Sequence, residues 1–317
     1  VDAAATDTAL VAAEQYLDGK DPASAEMILL KLMEQAPGDH RVHELYGRVL
    51  YLKGLEAGLG GDDRAAAAMY EQAYGHYRTA VEAAAGQDPL VLAGLNQSAG
   101  EIASAAGFTE RGAEHFRAAG RLDPTAAKHP LYEAQMLIQL KRPAEARLAL
   151  ERVLALDPDE VYAHASLAAA AVQEQDTVSA LEHIQEARRI DPDNLGIRLQ
   201  EARIRRLCGQ PRRGLELLLA TDEDLRAREP FTREIAACYA TLGEPAKAAE
   251  AWERCFRRHP DRPGAWRAAV EAATARLEAG QRQEALQWYR QARLAAPDAA
   301  EVEALGQALQ SAGGPEP

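Results

Sequence analysis

Three features of the chain combine residue types that could do chemistry. The first is GLGGDD, residues 58–63. A glycine-rich loop can cradle phosphate through its backbone N–H groups. Here no Lys-Ser/Thr follows, and Asp62 and Asp63 would repel the anion, so the stretch reads as a loop and a helix cap. The second is His40, His43 and Glu44, which have the residue types of a metal site. No third ligand follows at a diagnostic spacing and there is no HExxH, so no metal is expected there. The third is Cys208, Cys238 and Cys255. An odd, low count without CxxC spacing is not a disulfide framework, and these read as small buried apolar residues. No GxSxG occurs, and the lone His164 and His183 read as surface or partly packed residues. Nothing supports a catalytic constellation, a cofactor site or a metal site, so the expectation is a non-enzyme.

Charge gives a stronger lead. The net charge of −13 argues against general nucleic-acid binding and against an anionic membrane surface. Residues 1–160 carry 25 acidic and 15 basic residues, against 24 and 21 in residues 161–317. The densest basic stretch, 188–213, holds eight arginines against Asp191, Asp193 and Glu201. No apolar run approaches the roughly 18 residues of a membrane span, so no membrane insertion is expected. The chain begins with Val, which fits both a cleaved signal peptide and simple trimming. A soluble protein is expected, with cytoplasmic and periplasmic locations both open.

The elements that position these residues are helices. Ala, Glu, Leu and Arg dominate, which favours helix over strand. Only 5% of residues are aromatic, so the core is built from Ala and Leu and its helices must pack closely. Pro124, Pro158 and Pro192 stand 34 residues apart, and Pro260 follows after 68. A fixed period of this size means stacked repeats. Between Pro158 and Pro192, apolar or small residues recur at helical spacing: Val161, Leu167, Ala168 and Ala171, then Ala180, Ile184, Ala187 and Ile190. Asp176 or Thr177 caps the second helix, and Asp-Pro ends it. One period is therefore helix, turn, helix, stop, with Ala168 at the helix contact. Such a pair cannot bury its faces without neighbours.

This unit resembles the tetratricopeptide repeat (TPR) family. In 229–262, Ile235, Ala236 and Tyr239 match the family's first helix, Gly243 its turn, and Ala248, Trp252 and Cys255 its second helix, with Pro260 closing the unit. In 93–126 the same roles fall to Ala99, Gly100, Gly107, Gly112, Phe116, Ala119 and Pro124. The resemblance, of bacterial type, implies an all-α, right-handed superhelical solenoid of about eight antiparallel helix–turn–helix units. The expected division is an N-terminal unit at 1–39, an elongated unit with an insert at 40–92 and three regular units at 93–194. A degenerate unit at 195–228 follows, then two units at 229–299, and a capping helix with a disordered tail at 300–317. In 40–92 the extra residues are read as long helices with a protruding loop at 58–63, capped by Asp62 or Asp63. In 195–228, Glu201 and Arg205 stand where the first helix should be apolar. In the last unit about three extra residues are assigned to its first helix.

The resemblance also implies a function, protein–protein interaction as a scaffold or adaptor, with the groove lined by the exposed side of each first helix. Carried onto this chain, that wall comprises Glu44, Arg48, Tyr51, Gln97, Glu101, Leu131, Tyr132, Gln135, Gln139, Tyr162, Ser166, Ala169 and Gln173. It continues with Gln200, Arg203, Arg206, Arg233 and Arg267. Its middle is mild, with tyrosines and glutamines. Its C-terminal part is basic, and there a protein or peptide ligand with acidic residues or a C-terminal carboxylate would meet Arg203, Arg206, Arg233 and Arg267. The alternative is that these arginines form a solvated face with local pairs such as Arg233 beside Glu234. A carboxylate clamp of the chaperone-adaptor kind needs paired Lys and Asn, and this chain has only Asn96 and Asn194. A different reading is homo-oligomerisation through the terminal units or through the long unit, whose Met69, Tyr70, Tyr74 and Tyr77 offer aromatic surface.

Overall fold

The structure is a computed structural model that describes residues 3–260, 262 and 264–313. The residues described form eighteen helices and no strand. They run in pairs: α1 (Ala3–Asp18) and α2 (Pro22–Gln35); α3 (His40–Leu59) and α4 (Asp63–Ala83); α5 (Pro89–Ala105) and α6 (Thr109–Leu122); α7 (Lys128–Gln139) and α8 (Pro143–Leu156). Next come α9 (Val161–Gln173) and α10 (Thr177–Ile190), then α11 (Leu195–Leu207) and α12 (Pro211–Leu219). After a single turn of helix, α13 (Glu223–Arg226), the last pairs are α14 (Glu229–Thr241) with α15 (Pro245–Arg258) and α16 (Trp266–Glu278) with α17 (Arg282–Ala295). A final helix, α18, spans Ala300–Ser311. The chain forms two compact units, Val1–Ser166 and Leu167–Pro317. Inside each, helices pack chiefly on their neighbours in the chain.

Local chemistry explains the starts and stops. Asp21, Asp39, Asp62, Asp88, Asp176 and Asn194 sit at helix N-caps, and each side chain accepts a backbone N–H of the first turn. Of the two alternatives at each turn, Asp62 and Asp176 are the caps. The turn inside every one of the eight pairs holds a residue at positive φ. Glycine supplies it five times, as at Gly107 (79°) and Gly243 (74°), while Lys20, Lys141 and Gln175 adopt 61°, 58° and 61°.

Packing within a pair rests on small residues of one helix under large ones of the next. A Cβ added to Gly100 would lie 2.9 Å from the Phe116 ring, and one at Gly47 2.8 Å from Tyr77. Gly54 meets Tyr70 in the same way, and Gly306 of α18 meets Tyr289 of α17. At Gly214 the contact is backbone, because a Cβ there would sit 2.6 Å from the Ala202 carbonyl oxygen. Ala168 is fully buried.

Three features differ from the sequence expectation. The long pair α3–α4 has helices of 20 and 21 residues joined by only three residues, so its extra length is helix and the loop itself is tight. In the last pair α16 has 13 residues, as α11 and α14 do, so the surplus is not in the helix. It lies ahead of it, where Gly264 at φ 81° keeps the chain out of helix until Trp266. The pair at 195–228 has a regular first helix but a second of only 9 residues, followed by α13 capped by Asp222. The expected tail disorder falls partly on residues 314–317, which lie outside the described residues.

Gly214→Ala should lower stability by about 1–3 kcal/mol in urea unfolding, because a backbone carbonyl cannot yield to the new methyl. Gly94→Ala is the control. This helical glycine is exposed with nothing within 4 Å, so the change should stabilise by roughly 0.5–1 kcal/mol.

Candidate functional site

The helices α14, α15 and α16 enclose a cleft of about 410 Å³. Along α14 its lining runs Glu229, Arg233, Ala236, Ala237 and Ala240; along α16 it runs Arg267, Glu271, Thr274, Ala275 and Glu278. Both sets recur every three or four residues and so mark one face of each helix, about 16 Å long at 1.5 Å per residue. The alanines form a low floor, and α15 closes the back with Ala248, Trp252, Cys255 and Phe256. Ala236, Ala248, Trp252 and Cys255 also belong to one buried cluster, so the floor rests on packed core. Arg262 and His259 complete the rim.

The arginines expected to line the basic wall fall into distinct environments. Arg233 and Arg267 both line the cleft. Arg233 is highly exposed and donates to Glu229, one helical turn back. Arg267 stacks on the Trp266 ring, 4.8 Å from its centroid. Arg203 is exposed on α11. Arg206 is committed inside the fold, donating to Glu234 from Nε at 2.5 Å and from its terminal nitrogen at 3.3 Å. That hydrogen bond raises the Arg206 guanidinium above its ordinary value. Gln200 is half-buried on α11. Opposite charge also lies in the cleft. Loss of solvent around Glu271 raises its carboxyl above the usual range, with Glu278 adding to the effect and Arg233 opposing it.

In the unit at Val1–Ser166, Tyr132 is half-buried against Phe116, with ring centroids 5.2 Å apart. Gln135 is half-buried, and Gln139 and Tyr162 are exposed. Leu131 and Ser166 are buried and offer no lining, and Gln97 donates to Glu101 of its own helix. The aromatic residues of α4 turn inward. Tyr74 meets Phe108 edge-on, Tyr77 lies on Gly47, and Tyr70 lies on Gly54 and against Tyr51. They provide no second, exposed aromatic face.

The sequence match agrees with this architecture. The family models for tetratricopeptide repeats match residues 98–160, 133–194 and 230–272. No curated protein matches the chain. Among solved structures, a tetratricopeptide repeat protein from Parabacteroides merdae is similar at 15% identity and a TM-score of 0.56, over 83% of this chain and 98% of its own. Yeast Tom70 is similar at 16% identity and 0.56, over 92% of this chain and 59% of its own. Pseudomonas aeruginosa pilF is similar at 17% identity and 0.51, over 74% of this chain and 97% of its own. The chain carries tetratricopeptide repeats over residues 98–194 and 230–272. The fold is that of a protein–protein interaction scaffold, and TPR proteins are typically non-enzymatic. No helix among the described residues is long and apolar enough to cross a membrane.

Within this TPR chain, buried glutamates explain the residues that looked out of place. Glu201 accepts from Arg188 and Arg205, each at 2.7 Å, while only 3% exposed. Glu133 does the same for Arg117 and Arg152, and Glu253 for Arg257, Arg276 and the Trp288 indole. Arg205 and Arg276 each also reach the glutamine five residues on, Gln210 and Gln281. These bridges tie helices of adjacent positions together, and Arg205 is a structural residue of its unit.

Glu201→Gln should cost about 3 kcal/mol in urea unfolding, because it leaves two poorly solvated guanidiniums uncompensated. Glu229→Gln should cost under about 0.5 kcal/mol, since its pair is exposed. Burial pushes the Cys238 thiol up to about 12, against half-buried Cys208, whose thiol is raised less far. Iodoacetamide at pH 8 should therefore label Cys208 first and leave Cys238 unmodified in the folded chain, as mass spectrometry of tryptic peptides would show.

Proposed function

We propose that this chain is a scaffold that holds a peptide or protein segment in the α14–α15–α16 cleft, with acidic residues of the ligand meeting Arg233 and Arg267. The observation that carries this reading is the joint placement of both arginines on a single small-residue cleft. The floor admits close approach of a backbone, and the 16 Å face spans about five residues of extended chain. Charge does not forbid the occupant. The Arg233–Glu229 pair is exposed and worth only a few tenths of a kcal/mol, so a ligand carboxylate can displace it. A planar guanidinium also takes a carboxylate through two parallel hydrogen bonds. Arg203 extends the basic surface on α11. Arg206 contributes through the fold, because freeing it would strand Glu234. The α4 tyrosines pack on Gly47, Gly54, Tyr51 and Phe108, which supports the cleft over the long pair as the main contact surface.

Selection from a random dodecapeptide display library tests this directly. Enriched peptides should carry Asp or Glu, and their affinity should fall with salt. The double variant Arg233→Glu/Arg267→Glu should bind an enriched peptide at least about tenfold more weakly, a loss of about 1.4 kcal/mol. Arg203→Glu should have a smaller effect. Enrichment without acidic residues, or equal binding by the double variant, would sink the proposal.

A further inference from the structure

The local trio His40, His43 and Glu44 does not assemble, but His43 finds a different partner. His43 on α3 and His76 on α4 bring their Nδ1 atoms to 3.1 Å. The rings are stacked, 26° from parallel with centroids 5.4 Å apart. Glu44 is half-buried, and loss of solvent raises its carboxyl above the usual range.

We propose that His43 and His76 form a two-imidazole chelating site for a divalent transition ion of the zinc class, with water completing its coordination. Four observations support it. First, the Nδ1 separation fits a shared ion. With metal–nitrogen bonds of about 2.0–2.1 Å, 3.1 Å subtends an angle of about 100° at the ion, between the square and tetrahedral values. Second, the His43 Nε2–H donates to the Pro37 carbonyl at 2.9 Å, so in the neutral ring the Nδ1 lone pair faces His76. A backbone carbonyl on the far nitrogen is the kind of outer contact that orients a metal-binding histidine. Third, the Tyr46 ring meets His76 edge-on with centroids 4.8 Å apart and fixes its orientation. Fourth, both rings are half-buried, so the site is reachable and still shielded.

Without an ion, the His76 Nδ1–H donates to His43 Nδ1. On binding, that proton moves to His76 Nε2, two waters leave the ion, and both Nδ1 lone pairs bind it. No third His, Cys, Asp or Glu joins the pair among the described residues, so the ion keeps open positions. It would pin the two longest helices to each other.

The test is Zn²⁺ titration of the tag-free full chain, followed by imidazole ¹H–¹⁵N NMR and by thermal unfolding. The expected result is saturation at one ion per chain. The Nδ1 resonances of His43 and His76 should shift together ahead of the other six histidines, and the unfolding temperature should rise. His43→Asn and His76→Asn should each weaken binding at least about tenfold, since losing one of two donors costs no less than losing an outer-shell partner. If either variant fails to fold, the wild-type resonances alone decide. Zn²⁺ that leaves the two Nδ1 signals unmoved, or that binds both folded variants as tightly as wild type, would show a pair that only shares a proton and overturn the proposal.

Discussion

The contact on which the rest depends is a large side chain of one helix lying on a bare stretch of its neighbour. Phe116 on Gly100, Tyr77 on Gly47 and Tyr289 on Gly306 leave no room for even one methyl group. Helices that approach this closely must carry small residues on the facing side, and a chain with so many alanines can supply them. The same economy shapes the cleft. Where α14 and α16 present Ala236, Ala237, Ala240 and Ala275, no bulky side chain fills the space between them. The opening is thus a by-product of the packing rule and not a separate construction.

Charge serves two purposes in this chain, and burial separates them. Glu133, Glu201 and Glu253 are each nearly withdrawn from water and each held by two arginines. A carboxylate in that position is tolerable only with its partners in place, so these groups fix helix geometry. Arg233 and Arg267 are exposed, one on a weak intrahelical pair and one on an aromatic face. Arginines of similar sequence surroundings, such as Arg203, Arg205 and Arg206, therefore divide into surface and structural groups only when their partners are seen.

Much of the fold was legible in the sequence because its signals are local. The 34-residue period, the Asp caps and the Asp-Pro stops each act within a few residues, and they located the helices. What stayed hidden depends on residues distant in sequence. Glu201 and Arg205 looked like a failed helix face because Arg188, on the preceding helix, supplies the missing charge. The surplus of the last unit was misplaced because a loop residue at positive φ, Gly264, leaves no trace in apolar periodicity. Lys20, Lys141 and Gln175 occupy turn positions that sequence reading associates with glycine. Of the expected site residues, Arg233 and Arg267 share a cleft, whereas Arg262, Glu271 and Glu278 were missed. Position on a helix face showed which residues look outward but not which ones are matched by opposite charge.

Because helices inside each compact unit pack chiefly on their neighbours in the chain, most contacts there are close in sequence. Chains of this kind fold quickly and can begin at more than one place. They also open by segments, each with its own free energy. Among the paired helices α12 is the shortest, and its nine residues bury only Gly214, Leu215 and Leu218. Backbone amides there should exchange with solvent ahead of those in α14 and α15, so the chain can loosen next to its cleft without dismantling it.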